Sequence, residues 1–479
     1  MGEALEIKLA DLRIGLANVH ARIPFRFGNA TIRHVSQAVV EVEVETRDGA
    51  RAKGYAADFL SYAWFDKRPG KTPAEGSAAL LASIQSAGAA WLDAGFGTPF
   101  ALWRDLHRGQ EEASLARGSN RLSGNFGVSM IERAVIDAVG RLSGLGFHDL
   151  LFGGQLGIEE PSVFAELPQG AVVTSLPLLP RRRMDLRHTV GLIDPLTAAE
   201  NTAPLNDGLP ETLEDYLRAQ GLRSLKVKIG GDVEESIARL KAIAALLARV
   251  ERPVTITLDG NEQFASMEAF AALAEAARSA PELEALWRSV LFVEQPVERE
   301  AAMQEPLTAQ VQAAIGKPLI IDESDGWATA FKEAMALGYC GVSHKNCKGV
   351  FRSFLNNALA AQRNEALGEA RYFLSAEDLS CLPVVSLNAD LAAAASLGIG
   401  HIERNGHHYF NGLKHLSLPE QDAAIADYGG LYARGAGGVA LAVHGGAVET
   451  SGLFGPGFGV RTPPDMDRLL SPQEWQFDA

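Results

Sequence analysis

The 479-residue chain exceeds one ordinary domain, and its 47% hydrophobic and 22% charged residues lie close to the globular average. A formal net charge of -15 argues against a nucleic-acid partner, because phosphate binding needs a basic surface. Three cysteines (Cys340, Cys347, Cys381) are too few and scattered for a disulfide framework, and no apolar stretch reaches the length of a membrane span. Residues 1–10 lack a basic segment ahead of an apolar core, so no signal peptide is expected and a cytoplasmic setting is the simplest reading. The first elements predict an α+β unit over residues 1–150. Residues 37–45 alternate apolar with acidic, the mark of a half-exposed antiparallel strand, and Asp48-Gly49 marks a hairpin turn. Helical patterns run over 73–94, 102–115 and 128–142. In the last, Ile131, Val135, Ala138 and Leu142 form an apolar stripe, which puts Glu132 and Asp137 on its polar side.

Residues 153–210 are irregular, with a solvated arginine run at 181–183 and a first barrel strand expected near 189–193. Beyond it, three short apolar runs each end in an acid: 255–259 in Asp259, 291–294 in Glu294, and 319–322 in Asp322. They recur about every 30 residues, the length of one βα unit in an eight-fold α/β barrel. Barrel active sites sit at the C-terminal strand ends, so the three carboxylates would point into one pocket. Clustered anions repel one another, and a hard divalent cation resolves the conflict. Oxygen ligands favour Mg²⁺, with Mn²⁺ as a substitute. Glu323 is an alternative to Asp322, because adjacent residues point to opposite faces.

Basic residues flank the acids. Strand alternation in 224–230 puts Lys226 and Lys228 on one face, and 342–349 ends another strand with His344, Lys345 and Lys348. Around a closed barrel these outer members face each other across the mouth. A seventh strand is expected at 371–377, ending in Glu377, and an eighth at 399–403. The barrel is expected over 151–425, and a Gly-rich tail over 426–479 should return to the first domain.

Five pieces in this order resemble the enolase superfamily, in its muconate-lactonizing-enzyme-like branch related to mandelate racemase. They are Lys226-Val227-Lys228, Asp259-Gly260-Asn261, Val293-Glu294-Gln295-Pro296, Asp322-Glu323-Ser324 and Lys345-Asn346-Cys347-Lys348. The resemblance implies a modified TIM-like (β/α) barrel with an N-terminal α+β capping domain. It favours Asp322 over Glu323, and it implies that cap loops touch the substrate. Their candidates are Arg26 and Tyr62, beside Asn261 from the barrel. The longer interval between Asp259 and Glu294 implies an extended connection near 281–284. Similar enzymes often assemble as dimers or octamers, so a homo-oligomer is expected.

The expected chemistry is abstraction of a proton α to the carboxylate of a small substrate, through an ene-diolate. Epimerisation, racemisation, cycloisomerisation or elimination can follow, with an isomerase slightly favoured over a lyase. A metal and a neighbouring ammonium both favour the neutral form of a lysine base. Lys228 is therefore the first acid or base and Lys345 its counterpart, while Lys226 touches the substrate carboxylate and tunes Lys228. Counting back from Gly349 gives His344 as the rival of Lys345. Glu377 either assists catalysis or binds a backbone amide. A sugar-acid dehydratase and a non-catalytic enolase-like binding protein are the alternatives.

Overall fold

A computed structural model describes residues 3–28, 30–379 and 381–477. The chain opens with an antiparallel sheet of β1 (Ile7–Phe27), β2 (Ala30–Thr46) and β3 (Arg51–Phe59). The apolar–acidic alternation of β2 sets its register, with Val40 and Val42 buried and Glu41 and Glu43 half-exposed. Three helices cover the buried face: α1 (Pro73–Asp93), α2 (Pro99–Ala116) and α3 (Arg121–Ser143). Each start follows from a capping side chain. Thr72 forms a capping box with Glu75, and Thr98 and Asn120 accept from the third residue of their helices. Gly144, at φ 67°, ends α3 in the left-handed conformation.

The amphipathic reading of α3 is corrected. The helix is buried all round, and Glu132 and Asp137 are both fully enclosed. It runs between the sheet, α1 and the barrel, so its polar residues serve other elements. Glu132 accepts from the amides of Val350 and Phe351 at the start of a barrel helix. Asp137 accepts from Tyr55 N and Phe458 N and pairs with Arg141 at 2.8 Å. Sheet and helix touch so closely that a Cβ on Gly54 would lie 2.1 Å from the Ala134 carbonyl oxygen.

Eight parallel strands then close into a barrel: β4 (Arg183–Val190), β5 (Ser224–Lys228), β6 (Thr255–Asp259), β7 (Val290–Glu294), β8 (Leu319–Ile321), β9 (Gly341–His344), β10 (Phe373–Ala376) and β11 (His401–Arg404). Pairing of β11 with β4 completes the circle. Helices α4 (Leu213–Gln220), α5 (Val233–Leu247), α6 (Met267–Ser279), α7 (Ala309–Ile315), α8 (Ala330–Ala336), α9 (Val350–Leu367) and α10 (Val385–Ser396) follow the first seven strands. This is a TIM-type barrel with a sheet-containing N-terminal domain.

The first barrel strand begins earlier than the apolar pattern suggested. Residues 191–193 lie past its end, where the Gly191 amide bonds Asp194 in a turn. Its basic residues hid it: Arg183 pairs in register with Glu449, and Arg187 is buried inside the barrel. The extended connection after β6 is a short 3₁₀ turn, Pro281–Leu283, followed by the helix Glu284–Ser289.

After β11 the chain forms a hairpin of β12 (Tyr432–Gly435) and β13 (Gly438–Leu441), and β14 (Ala447–Glu449) adds antiparallel to β4. The tail then meets the N-terminal unit. Phe147 N donates to Gly457 O, and Leu470 bridges Leu16 of β1. No described helix is long and apolar enough to cross a membrane.

Candidate active site

Strand alternation delivers the charged residues to the barrel mouth. Lys226 and Lys228 leave β5 on the same face, and both are buried. Lys226 Nζ occupies the centre. It lies 2.5 Å from Glu377 Oε2, 2.7 Å from Glu294 Oε2, 3.0 Å from Glu403 Oε2 and 3.1 Å from Asp259 Oδ2. Lys228 Nζ donates to Asp259 Oδ2 at 2.5 Å. Across the mouth, Lys345 Nζ is 2.8 Å from Asp322 Oδ2 and 3.3 Å from Glu377 Oε2. It also lies over the Trp64 ring, 4.7 Å from its centroid.

Burial alone would strip the charge from these groups, but their neighbours reverse it for most. Burial pulls Lys226 down, and Asp259, Glu294, Glu377 and Glu403 together hold it well above the ordinary lysine value. Lys345 is likewise pulled down by burial and held high by Asp322 and Glu377. Burial raises Asp322, and Lys345 and Lys348 more than offset it, so the group ends below the usual carboxylate range. Glu294 is the exception. Burial and then the charges of Asp259 and Glu377 push it well up, and Lys226 does not compensate.

That exception bears on a metal. Both Glu294 oxygens are buried without a hydrogen-bond partner, although Lys226 Nζ lies near one of them without bonding alignment. One carboxylate oxygen each from Glu294, Asp322 and Glu377 falls within a 4.8 Å cluster. An all-oxygen, anionic donor set with an unsatisfied member fits a hard divalent cation such as Mg²⁺. The structure therefore gathers Glu294 and Asp322 of the expected trio and adds Glu377. Asp259 stands beside them, engaged by Lys226 and Lys228.

The remaining expected residues separate into two groups. Asn261 lines the pocket with Lys228 and Lys345. Glu323 turns aside to Lys67 of the cap at 2.9 Å. His344 points outside the barrel, where Nδ1 meets Ser353 Oγ of α9 at 2.8 Å, and burial lowers its pKa to about 4. Arg26 is exposed in a neighbouring hollow that reaches Lys228, and Tyr62 lies against Gly76 of α1.

Several contributors were given no role in the sequence reading. Arg187 on β4 binds Glu377 at 2.7 Å, and Lys348 bonds Ser343 Oγ at 2.9 Å next to Asp322. Glu403 was visible as the acid ending the eighth apolar run, the same signal that marked the other three. The cap wall, made of Phe25, Phe27, Ile32, Ser61 and Trp64, carried no pattern beyond ordinary apolar content.

Residues 208–365 match the family model described as enolase C-terminal domain-like. That segment of the barrel, about a third of the chain, is similar to the C-terminal domain of the enolase superfamily. No curated protein sequence matches the chain significantly. Among solved structures, the L-Ala-D/L-Glu epimerase from Bacillus subtilis is 17% identical, with a TM-score of 0.58, over 94% of this chain and 98% of its own. The dipeptide epimerase from Enterococcus faecalis V583, complexed with Mg and L-Leu-L-Tyr, is 17% identical with a TM-score of 0.60, covering 94% and 99%. N-succinyl Arg/Lys racemase from Bacillus cereus is 15% identical with a TM-score of 0.60, covering 96% and 97%. At these identities the likeness establishes an enolase-type fold. The charged mouth of this chain's barrel carries the chemical argument.

Proposed function

We propose that the protein is a divalent-metal-dependent isomerase that removes a proton α to a substrate carboxylate and returns one to the resulting ene-diolate. The observation that carries this reading is the placement of two amines. Lys228 ends β5 and Lys345 follows β9, and in the closed eight-strand order these strands are four places apart in either direction. Both side chains line one pocket. A substrate carbon between them presents one face to each. One lysine can take a proton from its face and the other can deliver one to the opposite face, which inverts the centre.

Glu294, Asp322 and Glu377 or Asp259 would hold the ion. When bound, it supplies positive charge to the substrate carboxylate and so stabilises the developing dianion. Each lysine is parked on a carboxylate in the free protein, Lys228 on Asp259 and Lys345 on Asp322. Neutralising those acids would free the amines for proton transfer. Lys226, enclosed by four carboxylates, keeps its charge and suits a positioning role rather than that of a base. Asn261 offers an amide to the substrate. The aromatic wall of Phe25, Phe27 and Trp64 excludes water and favours a carboxylate bearing an apolar group.

The test is solvent-deuterium exchange into a panel of chiral carboxylates with Mg²⁺, using wild type, Lys228→Met and Lys345→Met. Each variant should lose racemisation by about 10²–10⁴-fold, the range for a general acid or base. Full exchange in both variants would sink the two-lysine reading. No exchange in wild type with any carboxylate, despite Mg²⁺ binding, would favour a non-catalytic binding protein.

A further inference from the structure

At the barrel seam, away from the carboxylates, three histidines converge. His188 lies on β4 in register with Arg404 of β11, at the pairing that closes the barrel. His407 and His408 lie in the short helix Gly406–Tyr409 immediately beyond β11. One ring nitrogen from each falls within 4.8 Å of the others. His188 Nδ1 and His407 Nε2 are 3.2 Å apart. A tetrahedral ion with bonds of about 2.0–2.1 Å places its nitrogen ligands about 3.4 Å apart, close to that spacing.

A second observation points the same way. His408 is 3% exposed, and neither of its ring nitrogens has a hydrogen-bond partner. Leaving a buried polar group unsatisfied costs on the order of 1–3 kcal/mol, so such a group in a folded protein calls for a ligand. Burial also keeps all three rings neutral, with His407 lowered to about 3 and the others well below the usual histidine value. Neutral imidazoles keep a lone pair for a metal. Two cations act on the cluster, Arg22 of β1 on His408 and Arg404 of β11 on His407, and both are compensated: Asp207 engages Arg22 twice, at 2.6 and 2.8 Å, and Asp378 and Asp390 engage Arg404.

We infer that His188, His407 and His408 form a second cation site, for one late first-row divalent ion of the zinc type. Three nitrogen donors suit zinc and reject magnesium, so the two sites would sort their ions by donor chemistry. The ion would join the first barrel strand to the segment after the eighth. Tyr409 is stacked on Phe25 of the cap at 4.2 Å, so the same ion would hold the cap hairpin against the seam.

The full-length protein, saturated with Mg²⁺ and titrated with Co²⁺ as a spectroscopic probe, tests this. Wild type should develop the absorption of a low-coordinate, nitrogen-bound Co²⁺ at one equivalent, and Zn²⁺ should displace it and raise the thermal midpoint. His407→Gln, at a half-buried position that tolerates change, and His408→Phe, which keeps the ring volume, should each weaken Co²⁺ binding at least tenfold. Glu294→Gln should leave it unaltered. Absence of the band in wild type, its persistence in His407→Gln, or its loss in Glu294→Gln would each overturn the proposal. In those cases the rings, with centroids 4.2 Å apart for His188 and His408, would be an aromatic stack only.

Discussion

Helix α3 and the barrel mouth both bury many charges, yet they settle them differently. In α3 the buried Arg133 and Asp137 each meet a matched partner. Arg133 Nη2 lies 3.1 Å from Asp58, and Asp137 takes two amides and Arg141. At the mouth four carboxylates crowd one another around Lys226, and Glu294 keeps two oxygens unbonded. Matched burial holds two domains together. Unmatched burial leaves room for a ligand, and the difference between a structural and a chemical charge cluster is that remainder.

The contrast is sharpest at Glu294. Glu294→Gln should abolish the heat of Mg²⁺ binding in calorimetry while leaving metal-free stability equal to wild type or higher, because repulsion is relieved. A metal-free protein that unfolds more readily would mean that Glu294 is a structural member after all. Arg133→Leu should do the reverse. Breaking its pair with Asp58 strands a buried anion and costs about 3–5 kcal/mol in denaturant unfolding. An effect below about 1 kcal/mol would erase the distinction between the two regions.

The smallest effect lies with Glu132. Burial raises its pKa from 4.5 to about 7, against the pull of the Val350 and Phe351 amides. Between those values the unfolded chain loses its proton first, so the native state binds more protons and stability falls as pH rises. Glu132→Gln retains an acceptor for the amides and removes the titration. Its stability relative to wild type should therefore climb through that window, by on the order of 1–3 kcal/mol in total, and level off above it. A difference that stays flat with pH would show that Glu132 is ionised throughout.

Legibility in the sequence followed the same division. The acids at the ends of β6 and β7, and Asp322 just past β8, stood out because period-two burial leaves a polar residue conspicuous at a strand end. The cap helices were legible from their apolar spacing. What failed was any inference about the polar residues of α3, since a helix enclosed on all sides places acids inward and outward alike. Arg187 was hidden for a related reason. A buried arginine inside a strand looks like a loop residue until its partner Glu377, distant in sequence, is brought beside it. The aromatic wall was illegible because a phenylalanine that faces a substrate has the same local pattern as one that faces a core.

The segment carrying Trp64 is fastened to the barrel from two directions. Arg299 donates to the carbonyls of Trp64 and Phe65, and Lys67 reaches Glu262 at 2.6 Å and Glu323 at 2.9 Å. None of these fasteners lines the pocket, and among the described residues none from the cap enters the carboxylate cluster. The fasteners and the pocket-facing side chains of this segment are thus different residues. In the proposed reading, a change of substrate is a rewriting of the inward faces at Phe25, Phe27, Ile32 and Trp64 together with barrel residues such as Asn261 and Asn405, which line the same pocket.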